Sequence, residues 1–113
     1  MKKLAFIFLF TCLSAYRPQK ETLLDIILDE NEIPRATVRT QIFTLDGLFA
    51  GIVTTNNKFY LINLHEHKLE THEMEYLDEF RRLRVIGHKF ILLTTMNLHH
   101  FNADDFWPTD NMN

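Results

Sequence analysis

The apolar and polar positions of the chain fall into three regimes. Leu4 to Leu13 is apolar except for Thr11; Leu23, Leu24, Ile27 and Leu28 recur with a helical period; and from Ala36 to Phe101 short β-branched and aromatic runs alternate with turn residues. The second regime predicts a short amphipathic helix, with Asp25, Asp29 and Glu30 on its polar side and Pro34 as its stop. The third predicts strands. Thr37, Val38, Thr40, Ile42, Phe43 and Thr44 are of the types that fit a pleated sheet, and Asp46-Gly47 directly after them predicts the tip of a hairpin joining Ala36–Leu45 with Leu48–Thr55. Asn56-Asn57 predicts a second two-residue hairpin leading into Phe59-Tyr60-Leu61-Ile62, since Asn enters the left-handed region at low cost. Gly87-His88 and Met96-Asn97 predict further turns around Phe90-Ile91-Leu92-Leu93 and Leu98 to Phe101. Between them the period is mixed: Leu69 and Thr71 suit a strand, while Tyr76, Leu77, Phe80 and Leu83 lie at helical spacing and predict a short helix over Met74 to Leu83.

The expected fold is therefore mainly β, an antiparallel meander of about five to six short strands with one or two short helices. Residues 36–101 form its β-rich part, residues 15–35 a linker and the first helix, and residues 102–113 a loose C-terminal tail except where Phe106 and Trp107 dock. Phe59 to Ile62 and Phe90 to Leu93 are each four consecutive apolar residues, so both faces of these two strands need cover. A chain of this size covers one face readily and is short of material for the second, which predicts a surplus apolar face. Lys58-Phe59-Tyr60-Leu61-Ile62 and Lys89-Phe90-Ile91-Leu92-Leu93 also share Lys, Phe and Leu at an offset of 31. The alternation of apolar strand, tight polar turn and apolar strand is reminiscent of β-propeller blades, whose neighbours cover both faces. That gives the alternative of two incomplete blades, although the offset is shorter than the about 40 to 50 residues of a blade and no blade signature motif is present.

The first regime has the grammar of a secretory signal peptide: basic Lys2 and Lys3, an apolar run, then small Ser14 and Ala15. Ten residues rise only about 15 Å as a helix, half a bilayer core, so no stable transmembrane span is expected. Cleavage after Ser14 makes residues 1–14 the signal. The run LAFIFLF also has the composition of a buried first strand, and Leu9-Phe10-Thr11-Cys12 has the outline of a lipoprotein box, with lipid on Cys12 as the alternative to free secretion. Loss of Lys2 and Lys3 leaves 10 basic against 15 acidic residues, and no disulfide is available to a chain whose one Cys is Cys12.

Composition narrows the function by exclusion. A net charge of -3 without a large basic face argues against nucleic acid as a partner. Ser14 and Cys12 both lie in the presumed signal, which leaves no serine or cysteine nucleophile, and Gly47, Gly51 and Gly87 form no phosphate-cradling loop. The acidic positions 70, 73, 75, 78 and 79 resemble a solvated helix face, with Arg81, Arg82 and Arg84 as its neutralised end. Six His remain. His65 and His67 on a strand would share a face two residues apart, and with His72 they make a candidate zinc site, possible zinc being the one cofactor the sequence raises. Phe101, Phe106 and Trp107 are candidates either to anchor a protein partner or to close the chain's own core. The expected function is a small exported, non-catalytic binding or assembly protein that engages a protein partner or self-associates. The alternatives are an extracytoplasmic zinc-binding protein and a fragment of a larger propeller-like protein.

Overall fold

Helix α1, Gln19–Glu30, forms where the helical period predicts it and buries Leu24, Ile27 and Leu28. Its end is set by backbone chemistry ahead of Pro34: Glu32 takes a positive φ of 57°, its N–H donates to Asp29 O at 3.1 Å, and Ile33 N–H donates to Leu28 O at 2.9 Å. This pair of bonds satisfies carbonyls that a helix C-terminus otherwise leaves open. The computed structural model describes residues 19–108, so the expected signal peptide, Cys12 and the last five residues of the tail lie outside the described residues.

Seven strands follow in two antiparallel sheets. β1 Val38–Phe43, β2 Phe49–Thr54, β3 Lys58–Asn63 and β4 Lys68–Glu73 pair in chain order, and β5 Phe80–Ile86, β6 Lys89–Thr94 and β7 Leu98–Asn102 do the same. A short helix, α2 (Ala103–Phe106), closes the described chain, with Asn102 Oδ1 accepting from Asp104 N–H at 3.1 Å as its N-cap. The mainly β, antiparallel expectation holds. The structure has one more strand than expected and divides the meander between two sheets.

The first sheet is the central layer. One face carries Ala50, Ile52, Tyr60 and Ile62 against Leu24, Ile27 and Leu28 of α1. The other carries Phe49, Val53, Phe59 and Leu61 against Phe90 and Leu92 of the second sheet. The apolar run of β3 is thus covered on both sides within the chain, as its composition demands. Gly51 makes the sheet-to-sheet contact possible: a Cβ there would lie 2.9 Å from Cδ2 of Phe90 and 3.1 Å from Cε1 of Phe59. The backbones of the two sheets come closest between β1 and β5.

Several local expectations change. Residues 74–83 are no helix. Met74 N–H donates to Asn57 O, the Asn57 side-chain amide donates to Glu75 O and Asp78 O, and Phe80 onward pairs with β6, so this segment's backbone is held by groups distant in sequence. Arg82 and Arg84 accordingly stand on a strand, not at a helix end, and Asp78 is buried instead of lying on a solvated face. The hairpin at Asp46-Gly47 has a five-residue loop, because the Thr44 hydroxyl donates to Asp46 Oδ1 at 2.7 Å and accepts from Phe49 N–H at 3.1 Å, stapling the loop from within. The Asn56-Asn57 loop has three residues, ending on Asn57 at a φ of 68°. Gly87-His88 is the expected two-residue turn, with Gly87 at a φ of 60°.

The repeat also differs from the offset of 31. β2 and β6 run from 49 to 54 and from 89 to 94, and β3 and β7 begin at 58 and 98, so the structural period is 40 residues. Gly47 and Gly87, Thr54-Thr55 and Thr94-Thr95, and Asn57 and Asn97 all recur at that spacing. Phe59–Ile62 and Phe90–Leu93 resembled each other because both are apolar on two faces, although they occupy the third and second strand of their respective sheets.

Candidate interaction surface

The 40-residue repeat determines which face of each sheet points onward. In the first sheet the onward face, with Phe49, Gly51 and Val53 of β2, meets the second sheet; the corresponding positions of β6 are Lys89, Ile91 and Leu93. No described element covers these. The register places Arg82 beside Leu93 and Leu98, Arg84 beside Ile91 and His100, and Ile86 beside Lys89 and Asn102 on that face. Ile86, Leu98 and Leu93 are 68%, 56% and 41% exposed, and Met96 in the adjoining turn is also exposed. The strand alternation explains the arrangement. Phe90 and Leu92 turn inward to the core, which forces their apolar neighbours Ile91 and Leu93 outward. Arg82, Arg84 and Lys89 are exposed around this apolar strip, and none has an ion-pair partner among the described residues.

Two polar clusters pin the fold beneath this face. His88 donates from Nε2 to Asp46 Oδ2 at 2.6 Å and from Nδ1 to Asp104 at 3.0 Å, linking the β5–β6 turn to the β1–β2 loop and to α2. Both partners are carboxylates, which only accept, so the protonated ring is the form that donates to both. The hydrogen bond to Asp46 accordingly raises its pKa above the ordinary value, against an opposing effect of burial. Burial pushes the Asp46 carboxyl up, but His88, Thr44 and Leu48 N–H together hold it below the usual range. Sequence reasoning passed over His88 because its two partners stand 42 and 16 residues away.

Asp78 accepts from the hydroxyls of Thr94 and Thr95, from Met96 N–H and from the Asn97 amide, at 2.7 to 3.1 Å. Burial raises its pKa, yet these four donors outweigh burial and hold the carboxyl far below the ordinary carboxylate range. Its role is to organise the β6–β7 turn.

No family model, curated protein or solved structure matches this chain.

The candidate zinc residues occupy separate places. His65 and His67 lie in the β3–β4 turn and not on a strand, and His67 has a positive φ of 55° with Nδ1 3.3 Å from Glu30 Oε1. His72 stands on β4 between the sheets, among Phe59, Phe101 and Phe106, where burial lowers its pKa and favours the neutral ring. Among the described residues no group of three or more His, Cys, Asp or Glu is arranged to hold a metal ion. Phe101, Phe106 and Trp107 are half-buried and pack into the inter-sheet core, with Phe101 stacked on Phe59 at 4.9 Å and Trp107 on Phe49 at 5.9 Å. Of the two roles the sequence left open for them, this is the placement of core closure.

An open groove of about 600 Å³ lies at the loop end of the first sheet, lined by Arg39, Asn56, Asn57, Met74, Tyr76 and Glu79 among others. It brings together one cation, one carboxylate, one phenol and the Thr55 hydroxyl. No helix among the described residues is long and apolar enough to cross a membrane.

Proposed function

We propose that this chain is a small exported, non-catalytic binding or assembly module that engages a protein surface through the outer face of β5, β6 and β7. The observation that carries this reading is the exposed strip of Ile86, Leu93 and Leu98, framed by unpaired Arg82, Arg84 and Lys89, on a sheet whose other face is core. Burying each such aliphatic side chain is worth about 1.5 to 3 kcal/mol, a large part of the margin of about 5 to 15 kcal/mol by which a domain is stable. An apolar centre with a cationic rim is the composition of a protein-binding patch, not of a solvated sheet face. Export rests on the order of basic, apolar and small residues in Lys2 to Ala15.

Sedimentation of the chain at micromolar concentration, with a hydrophobic dye as the second readout, tests the reading. Self-association, capture of a partner or strong dye binding is expected, and Leu93→Lys with Ile86→Lys is expected to remove it without unfolding the chain. A compact monomer that unfolds cooperatively and binds no dye contradicts the proposal.

The 40-residue period favours a second reading, in which the two sheets are successive units of a larger propeller-like protein and the open face receives the next unit. Sequencing the coding region downstream of Asn113 decides it: a further stretch repeating the Gly, Thr-Thr and Asn spacing supports this reading, and an immediate stop removes it.

A further inference from the structure

Among the described residues the layers are α1, the first sheet and the second sheet, so the exposed side of α1 and the outer face of β5–β7 lie on opposite sides of the first sheet. Their chemistry is complementary. Glu21, Asp25 and Asp29 recur every four residues along the exposed side of α1, next to Ile26, which is 42% exposed. Among the described residues Glu21 and Asp29 have no cation partner, and Asp25 has only a long, exposed contact with Arg35 at 3.7 Å. At the other end Arg82, Arg84 and Lys89 have no anion partner, and the apolar strip lies between them. Of the other charges on the helix, Glu30 faces His67, and Lys20 lies over the Phe43 ring at 5.2 Å.

We propose that the occupant of the β5–β7 face is α1 of a second copy of this chain, docked head to tail; this rests on the binding reading above and names its partner. A symmetric pairing of two β5–β7 faces would set the cations Arg82, Arg84 and Lys89 against the same cationic set of the second copy, and like charges held together across an interface oppose it. A helix of twelve residues is about 18 Å long and fits along strands of similar length, so Ile26 reaches the Leu93 and Leu98 strip while the acidic stripe meets the cationic rim. A docked pair keeps one surface of each kind free, one on each copy, so the contact is heterologous and propagates into a ring or an open chain.

Paired charge reversals test this in sedimentation and light scattering. Arg84→Glu destroys the accepting face and leaves α1 intact; Asp25→Lys with Asp29→Lys destroys the helix stripe and leaves the face intact. All of these positions are exposed, and thermal melts of each variant, with Lys89→Glu as a substitute for Arg84→Glu, guard against misfolding. Each variant alone is expected to associate at least about tenfold more weakly than the native chain. Their equimolar mixture is expected to associate again, because the intact helix of one variant meets the intact face of the other. Native association is also expected to weaken as ionic strength rises, since the screening length shortens from about 30 Å at 0.01 M to about 3 Å at 1 M. If the helix variant associates like the native chain while the Arg84→Glu chain does not, the head-to-tail proposal falls and the binding face stands. If the two variants fail to recombine, the head-to-tail proposal also falls. A native chain that is monomeric and binds no hydrophobic dye removes both.

Discussion

Replacing Gly51 with Ala is a direct probe of how the two sheets meet. The added methyl carbon would sit 2.9 and 3.0 Å from two ring carbons of Phe90 and 3.1 Å from one of Phe59, closer than carbon atoms pack. Both rings are fully buried, so neither swings aside freely. Overpacking of this kind costs about 1 to 3 kcal/mol. Removing a Gly lowers the entropy of the unfolded chain, which returns about 0.4 to 1 kcal/mol. The net expectation is a loss of up to about 2.5 kcal/mol, read as a fall in Tm. Thermal and urea unfolding of the native chain, Gly51→Ala, Phe90→Ala and the double variant form a cycle that isolates the contact. Phe90→Ala alone is expected to cost about 3 to 5 kcal/mol. In that background Gly51→Ala is expected to be neutral or stabilising, since the void accepts the methyl. An equal effect of Gly51→Ala with and without the Phe90 ring would refute the packing of β2 against β6.

His88→Gln is expected to lower stability by about 1 to 2 kcal/mol near pH 6, by breaking charge-assisted bonds to two half-exposed carboxylates. Because the folded pKa of His88 is raised, its contribution is complete below the ordinary value near 6.5 and is lost as pH rises through the folded pKa, so native and variant melts are expected to converge at alkaline pH. Asp78→Ala removes the shared acceptor of the β6–β7 turn, leaving Thr94 its second acceptor, Asn97 O at 3.0 Å, and is expected to lower Tm; the carboxyl pKa is depressed, so the native advantage is present above about pH 4 and shrinks as pH falls through the folded value. Metal analysis of purified chain tests the zinc alternative: stoichiometric zinc abolished by His67→Ala supports it, and equal weak losses for every His identify surface binding instead.

Much of the secondary structure is legible in the sequence because it is decided locally. The period of Leu23 to Leu28 specifies α1, and the Gly and Asn residues with positive φ mark hairpin turns that the strands could not otherwise make. The surplus apolar face is legible too, although it lies on the second sheet alone, since α1 and the second sheet cover the first. What escapes the sequence is non-local. Tyr76, Leu77, Phe80 and Leu83 keep helical spacing, yet Asn57, Thr94 and Thr95 take the hydrogen bonds of that segment from 16 to 21 residues away. The true period of 40 is carried by turn residues, and the apolar runs that attract the eye are out of phase with it. His88 carries no local mark of its two carboxylates, and Arg82 and Arg84 become the rim of a face only once β5 is known to be a strand.

The central claim is that the outer face of β5–β7 is covered when the protein works. Hydroxyl-radical footprinting of the dilute chain against the chain in the assembly isolated from native material tests it most directly. The account predicts that oxidation of Ile86, Leu93 and Leu98 falls on assembly, while Leu45 in the β1–β2 loop and Leu77 in the segment before β5, which are also exposed, react equally in both. Unchanged oxidation of Ile86, Leu93 and Leu98, with protection appearing at Leu45 or Leu77 instead, would contradict it.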